Sequence, residues 1–279
     1  MIIDSHHHFW EYNPVEYDWI NEDMNIIRHN FLPEDLKDEI AATGINGVIS
    51  VQARQKLAET NWLLELAEKN KFIKGVIGWL PIDDPQFKLY LDKYSENHKL
   101  SGIRYVIQDE PDPEFILRKE FNKGITELKH YGLAYDILIH ENQLPNTVCF
   151  VDKHPEQIFI LDHIAKPKIK EELFEPWRGN IKELAKRENV YCKLSGMVTE
   201  ADSSGCIKEK LIPYFEICLE AFGATRLMFG SDWPVCLLAI SYSEWIKIIK
   251  EFISKLNIEE QTCILYKNAI KAYDLRLSN

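Results

Sequence analysis

The chain has 279 residues, of which 46% are hydrophobic and 28% charged, and its formal net charge is −11. This composition is typical of a globular domain, and the negative charge argues against nucleic acid or an anionic membrane as the main partner. The six cysteines include no Cys-x-x-Cys pair, no apolar stretch is long enough to span a membrane, and no leader peptide is visible, so we expect a cytoplasmic protein without a disulfide framework.

Short segments rich in Val, Ile, Tyr and Phe recur along the chain, as expected of strands that are buried on both faces of a parallel sheet. They cover residues 2–8, 46–53, 73–80, 102–107, 133–140, 157–163, 189–195 and 226–232. Helical patterns fill the gaps: one opens at Pro33, and two others stop at Gly132 and Gly223. Eight strands that alternate with helices, without a linker, predict an α/β fold with a single domain over residues 1–279, a closed (β/α)₈ TIM barrel.

The first predicted strand ends in the sequence Asp4-Ser5-His6-His7-His8. Because side chains alternate along a strand, His6 and His8 face one way and His7 faces the other. Two imidazoles on one face form half of a metal site or of a proton-transfer site, and the rest of the chain must supply the other half. A tag remnant or a surface cluster without a role is the alternative.

Functional residues of such barrels lie at the carboxyl ends of the strands. Almost every predicted strand ends here in an ionisable or hydrogen-bonding group, and burying one such group without a partner costs about 1–3 kcal/mol. These groups are His6 and His8; Gln52 and Arg54; Trp79; Arg104 with Gln108-Asp109-Glu110; His140; Asp162 and His163, with Lys166 beyond; Lys193 and Ser195; and Ser231-Asp232-Trp233. Individually, Asp162, Lys166 and His140 also have plain interpretations as loop or solvated residues.

Four of these residues, His6, His8, His163 and Asp232, are expected to converge at the end of the barrel. Imidazole and carboxylate groups suit one divalent ion such as zinc or manganese. They suit metal-free acid–base chemistry equally well, since Asp can take a proton from water and His can polarise a carbonyl.

These motifs resemble the amidohydrolase superfamily and, within it, the sugar lactonases of the L-fuconolactonase type. The resemblance is carried by Ile3-Asp4-Ser5-His6-His7-His8-Phe9-Trp10, Gly78-Trp79, Gly102-Ile103-Arg104, Gln108-Asp109-Glu110-Pro111, Leu161-Asp162-His163, Lys166-Pro167, Cys192-Lys193-Leu194-Ser195-Gly196, Thr199-Glu200-Ala201-Asp202 and Phe229-Gly230-Ser231-Asp232-Trp233-Pro234-Val235. These motifs span nearly the whole chain. A His-x-His pair alone is a weak signal, but its combination with Gly-Ser-Asp-Trp-Pro is specific.

The resemblance implies a distorted barrel in which Asp232 is the general base and His163 contacts the metal or the substrate carbonyl. His6, His8 and Asp232 would hold one zinc or manganese ion where a metal is present, although some members work without one. The chain departs from the family pattern at His7, where Gln is common, and at Ser203, where Trp is common. Arg104 replaces the lysine that bridges two metals in binuclear members, which argues against a second metal.

The hypothesis from the sequence is therefore a hydrolase that opens a small-molecule sugar-acid lactone similar to L-fucono-lactone. Arg104, Lys193 and Asp109, with His140 as a further contact, would bind the substrate, and Trp10 and Trp79 would present flat surfaces to the sugar ring. The alternatives are a lactonase for rhamnono-, galactaro- or pyrone-dicarboxylate lactone, a metal-dependent decarboxylase of the same branch, and a sugar-acid-binding relative without catalysis. No pattern in the sequence indicates an oligomeric state.

Overall fold

Eight parallel strands form one sheet in the order β1 to β8 in the computed structural model, which describes residues 1–201 and 207–276. The strands are β1 (Ile3–His7), β2 (Gly47–Val51), β3 (Ile73–Gly78), β4 (Leu100–Val106), β5 (Ala134–Leu138), β6 (Phe159–Leu161), β7 (Val190–Leu194) and β8 (Leu227–Phe229). Seven of the predicted segments contain one strand each, and the segment 102–107 overlaps β4, which begins two residues earlier. Asp202 and Ser203, which the sequence analysis discussed, lie outside the described residues, as does Cys206, one of the six cysteines.

Hydrogen bonds between β1 and the residues after β8 close the sheet into a barrel. The His8 amide donates to the Trp233 carbonyl at 2.7 Å, and the Asp232 amide donates to the His6 carbonyl at 2.7 Å. The predicted TIM barrel is confirmed, and this seam brings the ends of β1 and β8 side by side.

Helices connect the strands and surround the barrel. They are α1 (Pro33–Thr43), α2 (Leu57–Lys69), α3 (Phe87–Tyr94), α4 (Lys119–Leu128), α5 (Leu144–Asp152), α6 (Trp177–Leu184), α7 (Ile207–Phe222), α8 (Tyr242–Ile253), α9 (Ile258–Thr262) and α10 (Asn268–Ala272). Pro33 opens α1 with two acids in its first turn, and Gly132 and Gly223 have φ of +67° and +65° where the helical segments before β5 and β8 end, as the sequence predicts. No helix in the described part of the chain is both long and apolar enough to cross a bilayer.

Two segments cover the ends of the barrel. At the amino-terminal end of the strands, Asn268 of α10 donates to the carbonyls of Ala224 and Leu227 at 2.8 and 2.6 Å. At the other end, the chain leaves the barrel after Trp10 and returns at Phe31, whose backbone pairs with that of Trp10. We call residues 11–30 the N-terminal loop; it lies over the carboxyl end of the barrel, where the functional residues are expected.

Candidate active site

Three imidazoles and one carboxylate converge at the seam between β1 and β8. His6 Nε2 lies 3.3 Å from His8 Nε2, and Asp232 Oδ1 lies 3.4 Å from His8 Nε2 and 3.7 Å from His6 Nε2. His163 Nε2 lies 4.0 Å from the same oxygen. All four side chains are buried. The set that the sequence analysis expected to converge does converge.

The spacing of His6, His8 and Asp232 suits a single metal ion. A tetrahedral zinc ion with ligands at about 2.0–2.1 Å holds each pair of ligand atoms about 3.4 Å apart. The three distances here are 3.3, 3.4 and 3.7 Å. His8 Nδ1 lies 2.8 Å from the Val51 carbonyl, and a neutral ring that donates there has an Nε2 without a proton, free to bind a metal.

Burial sets the protonation states of this cluster. Burial lowers the pKa of His163 to about 4 and that of His6 well below its usual value. Burial also opposes ionisation of Asp232, but the neighbouring His163, His8 and His6 outweigh it and hold the pKa of that carboxyl below its usual range. Near neutral pH His6 and His163 are therefore neutral and Asp232 is ionised, the forms that bind a metal or accept a proton.

A buried ion-pair network lies beneath His6. Arg104 Nη1 donates to Asp162 Oδ2 at 2.9 Å and lies 3.3 Å from His6 Nε2. Lys193 Nζ lies 2.9 Å from Asp162 Oδ1, 2.5 Å from Asp136 Oδ2 and 3.1 Å from His6 Nδ1. Two cations thus face two carboxylates in the dry interior of the barrel. Removing one partner of such a network costs about 3–5 kcal/mol, because the other charge is then left buried and unpaired.

A left-handed turn follows β6 and positions His163. The four consecutive residues from His163 to Lys166 have φ of 53°, 48°, 62° and 47°. None is glycine, so each carries a conformational cost of about 1–2 kcal/mol. Trp177 Nε1 holds the turn by donating to the Ile164 carbonyl at 2.7 Å, and Ser195 Oγ lies 2.9 Å from His163 Nδ1. Strain that is held in this way is typical of functional sites.

A cavity of about 130 Å³ opens above the cluster. Aliphatic side chains form one part of its wall, and ionisable and amide side chains form most of the rest. The lining residues are His8, Trp19, Ala53, Arg104, Val106, Gln108, Asp109, Leu138, His163, Lys166, Asp232 and Val235. A second cavity of about 640 Å³ shares Lys166 with the first and is also lined by His140, Thr199 and Glu200. We call the first the inner cavity and the second the outer cavity.

The residues that the sequence predicted to contact substrate lie in different parts of the structure. Arg104 and Asp109 line the inner cavity, whereas His140 lines only the outer one. Lys193 is fully buried beneath His6. Trp10 is also fully buried, and its Nε1 donates to the His29 carbonyl at 2.8 Å. Trp79 packs beside α2, where its amide donates to Thr60 Oγ1 at 2.9 Å.

Sequence reasoning missed Trp19, which lines the inner cavity from the N-terminal loop. Its Nε1 donates to the Ala53 carbonyl at 3.0 Å, just beyond β2. Nothing in the local pattern marked it, since it lies in neither a strand nor a helix. The aromatic pair Tyr17 and Trp19, in a segment otherwise rich in polar residues, is the one signal that could have pointed to it.

Comparison with known proteins identifies the family and gives related structures. The amidohydrolase family model matches residues 3–275. An L-fucono-1,5-lactonase of Burkholderia multivorans is 37% identical, over 98% of this chain and 96% of the relative. An L-rhamnono-gamma-lactonase of Scheffersomyces stipitis is 26% identical, over 74% of this chain and 70% of the relative. The crystal structure of a Burkholderia multivorans amidohydrolase with bound zinc, 37% identical, covers 99% of this chain and 100% of its own with a TM-score of 0.95.

Proposed function

The chain belongs to the amidohydrolase family, and from this premise we propose that it is a hydrolase that opens a sugar-acid lactone of the L-fucono-lactone type. The observation that carries the proposal is the convergence of the Asp232 carboxylate with three imidazoles, two of which, His8 and His163, line a small cavity together with Asp232. Relatives named as lactonases for L-fucono-1,5-lactone and L-rhamnono-gamma-lactone point to the same class of substrate.

Asp232 is the proposed general base. Its carboxylate is ionised near neutral pH and lines the inner cavity, so it can take a proton from a water molecule that attacks the lactone carbonyl. The same group then returns the proton to the ring oxygen as the carbon–oxygen bond breaks, which leaves a free hydroxyl and a carboxylic acid that releases its proton to the solvent. One residue thus serves both halves of the reaction.

His163 is the proposed donor to the oxyanion. When Ser195 Oγ donates to His163 Nδ1 at 2.9 Å, the neutral ring carries its proton on Nε2, the nitrogen nearer to Asp232. From there it can donate to the oxygen on which negative charge develops, an interaction worth about 3–4 kcal/mol in the transition state. Arg104 at the cavity wall adds positive charge to the same region.

One divalent ion, zinc or manganese, fits His6, His8 and Asp232. When bound there it would supply Lewis-acid activation of water and carbonyl. The bare Nε2 of His8 and the tetrahedral spacing of the three ligand atoms support this assignment. Arg104 lies where a binuclear site would place its bridging lysine, and this supports a stoichiometry of one.

A direct test is an acid-release assay over a panel of L-fucono-, L-rhamnono-, galactaro- and pyrone-dicarboxylate lactones. We expect turnover to be fastest with the L-fucono lactone and to fall at least about 100-fold in Asp232→Asn, which keeps the shape but cannot act as a base. A thermal melt of the variant confirms that it is folded. Near-wild-type turnover by Asp232→Asn would overturn the assignment of the base, and release of carbon dioxide would indicate a decarboxylase.

Metal content tests the ligand assignment separately from turnover. We expect protein stripped with a chelator to take up one zinc ion per chain, measured by elemental analysis, and His8→Gln to take up far less. Uptake by His8→Gln equal to that of the wild type would show that the metal lies elsewhere. Full activity of metal-free protein would show that the acid–base groups suffice without a metal.

A further inference from the structure

Lys166 lies where the inner and outer cavities meet, and the proposed reaction leaves it without a role. Its side chain is partly buried and lines both cavities. Burial lowers the pKa of His163 and of His140, and the Lys166 ammonium lowers both further. Since His163 lies in the inner cavity and His140 in the outer one, the ammonium is close to both.

The Lys166 ammonium has no carboxylate partner within 4.0 Å in the described part of the chain. Its neighbour Lys168, by contrast, pairs with Glu141 at 3.4 Å. A partly buried ammonium that makes no ion pair has hydrogen-bonding capacity left for a ligand. The left-handed turn that carries Lys166 is held by Trp177, so the backbone from which this side chain projects is fixed.

Glu200 lines the outer cavity together with Lys166. Burial and the Asp232 carboxylate raise the pKa of Glu200, while the Lys166 ammonium lowers it, so its carboxyl group is near both. The Lys170 amide donates to the Glu200 carbonyl at 2.9 Å, which ties the loop after β6 to the loop after β7. The backbones that carry the two side chains are therefore connected, and both side chains line the outer cavity.

We propose that Lys166 and Glu200 bind the hydroxyl groups of the lactone and so make the enzyme specific for polyhydroxylated lactones, an inference that rests on the proposed function. An ammonium donates up to three hydrogen bonds to hydroxyl oxygens, and a carboxylate accepts from hydroxyl hydrogens. Together they can bind two hydroxyl groups on one face of the substrate by hydrogen bonds, while His163 and Asp232 act on the ester. A site built to pair hydroxyl groups discriminates strongly against a substrate that lacks them.

The test compares L-fucono-1,5-lactone with δ-valerolactone, a six-membered lactone without hydroxyl groups. For Lys166→Met we expect kcat/KM on the sugar lactone to fall about 10- to 100-fold, mainly through KM, as expected for the loss of one charged hydrogen bond. Turnover of δ-valerolactone should stay within about twofold of the wild type, and Glu200→Gln should show the same selectivity. Lys168→Met is the matched control and should leave both substrates unaffected.

Each other outcome has a defined meaning. Equal losses on both lactones would overturn the proposal, because Lys166 would then serve the ester chemistry. Unchanged kinetics on both would also overturn it, because Lys166 would then be a solvated side chain. If the wild type opens only the sugar lactone, a loss in Lys166→Met that is confined to KM supports the proposal. A wild type that opens δ-valerolactone but no sugar lactone would overturn the proposed function itself.

Discussion

At the scale of single residues, His7 shows that strand alternation gives adjacent histidines different surroundings. It lies between two candidate metal ligands, yet its ring faces the opposite way, and Nε2 lies 2.9 Å from Ser50 Oγ. Its side chain is fully buried, and burial lowers its pKa from 6.5 to about 3. The sequence predicted this orientation, and the low pKa makes His7 a source of acid sensitivity.

The free energy of unfolding of His7→Gln should therefore fall less on acidification than that of the wild type. The unfolded chain binds a proton at His7 once the pH falls below 6.5, but the folded chain does not until about 3, so acid favours unfolding across that window. On going from about pH 8 to about pH 5, this group lowers the free energy of unfolding of the wild type by about 2 kcal/mol. The variant lacks the group and should not show this loss. Urea unfolding at both pH values measures the difference.

The control is the same comparison for His130→Gln, which replaces a surface histidine of the turn before Gly132. It should leave the pH dependence of the free energy of unfolding unchanged. If His7→Gln and wild type lose stability in parallel on acidification, the buried ring is not the group that takes up the proton.

Residue types at strand ends could be predicted, but their partners could not. The convergence of His6, His8 and Asp232 could be predicted because alternation and position in the barrel fix where these side chains point. Lys193 was expected to contact substrate, yet the structure places it under His6, where it pairs with Asp136 of another strand. Ion pairs between strands leave no local pattern in a sequence.

At the scale of elements, the strands could be predicted and the turns after them could not. A strand buried on both faces is recognisable from its composition. The left-handed turn of residues 163–166 contains no glycine and is held by contacts from other elements, so nothing in its own sequence marks it. The loop after β7 is different, because Gly196 has φ of +62° and a Cβ there would lie 2.3 Å from His163 Nδ1.

Gly196→Ala should therefore impair catalysis more than folding. The added methyl group must displace the His163 ring and break its contact with Ser195, which moves the donor that the oxyanion needs. We expect kcat to fall at least about 100-fold, the size of effect seen when one such donor is lost. Steady-state kinetics measures the loss, and a thermal melt checks the fold.

Gly132→Ala is the matched control. Gly132 has a similar φ of +67°, but a Cβ there would meet nothing within 4 Å. This variant should lose about 1–2 kcal/mol of stability from the backbone conformation and keep its kcat. Equal kcat in the two variants would show that crowding of His163 is not what Gly196 prevents.

At the scale of the whole molecule, the end of the chain completes the barrel interior. Tyr273 follows α10, is buried, and donates its hydroxyl to Asp136, whose carboxylate oxygens both lie 2.9 Å away. Asp136 in turn pairs with Lys193, which contacts His6. The closing segment of the fold is thus linked by three contacts to a candidate metal ligand, a relation between residues too distant in sequence for any pattern to reveal.

Tyr273→Phe isolates the contribution of that one hydroxyl. The ring remains, and with it the packing against the Lys193 ammonium, which lies 5.5 Å from the ring centroid. The buried Asp136 carboxylate loses a donor, and we expect the free energy of unfolding to fall by about 1–3 kcal/mol. Tyr266→Phe, on the same segment and without a hydrogen bond from its hydroxyl to any described residue, should change it by less than about 0.5 kcal/mol. Equal effects of the two substitutions in denaturant titrations would mean that the segment stabilises the barrel by packing alone.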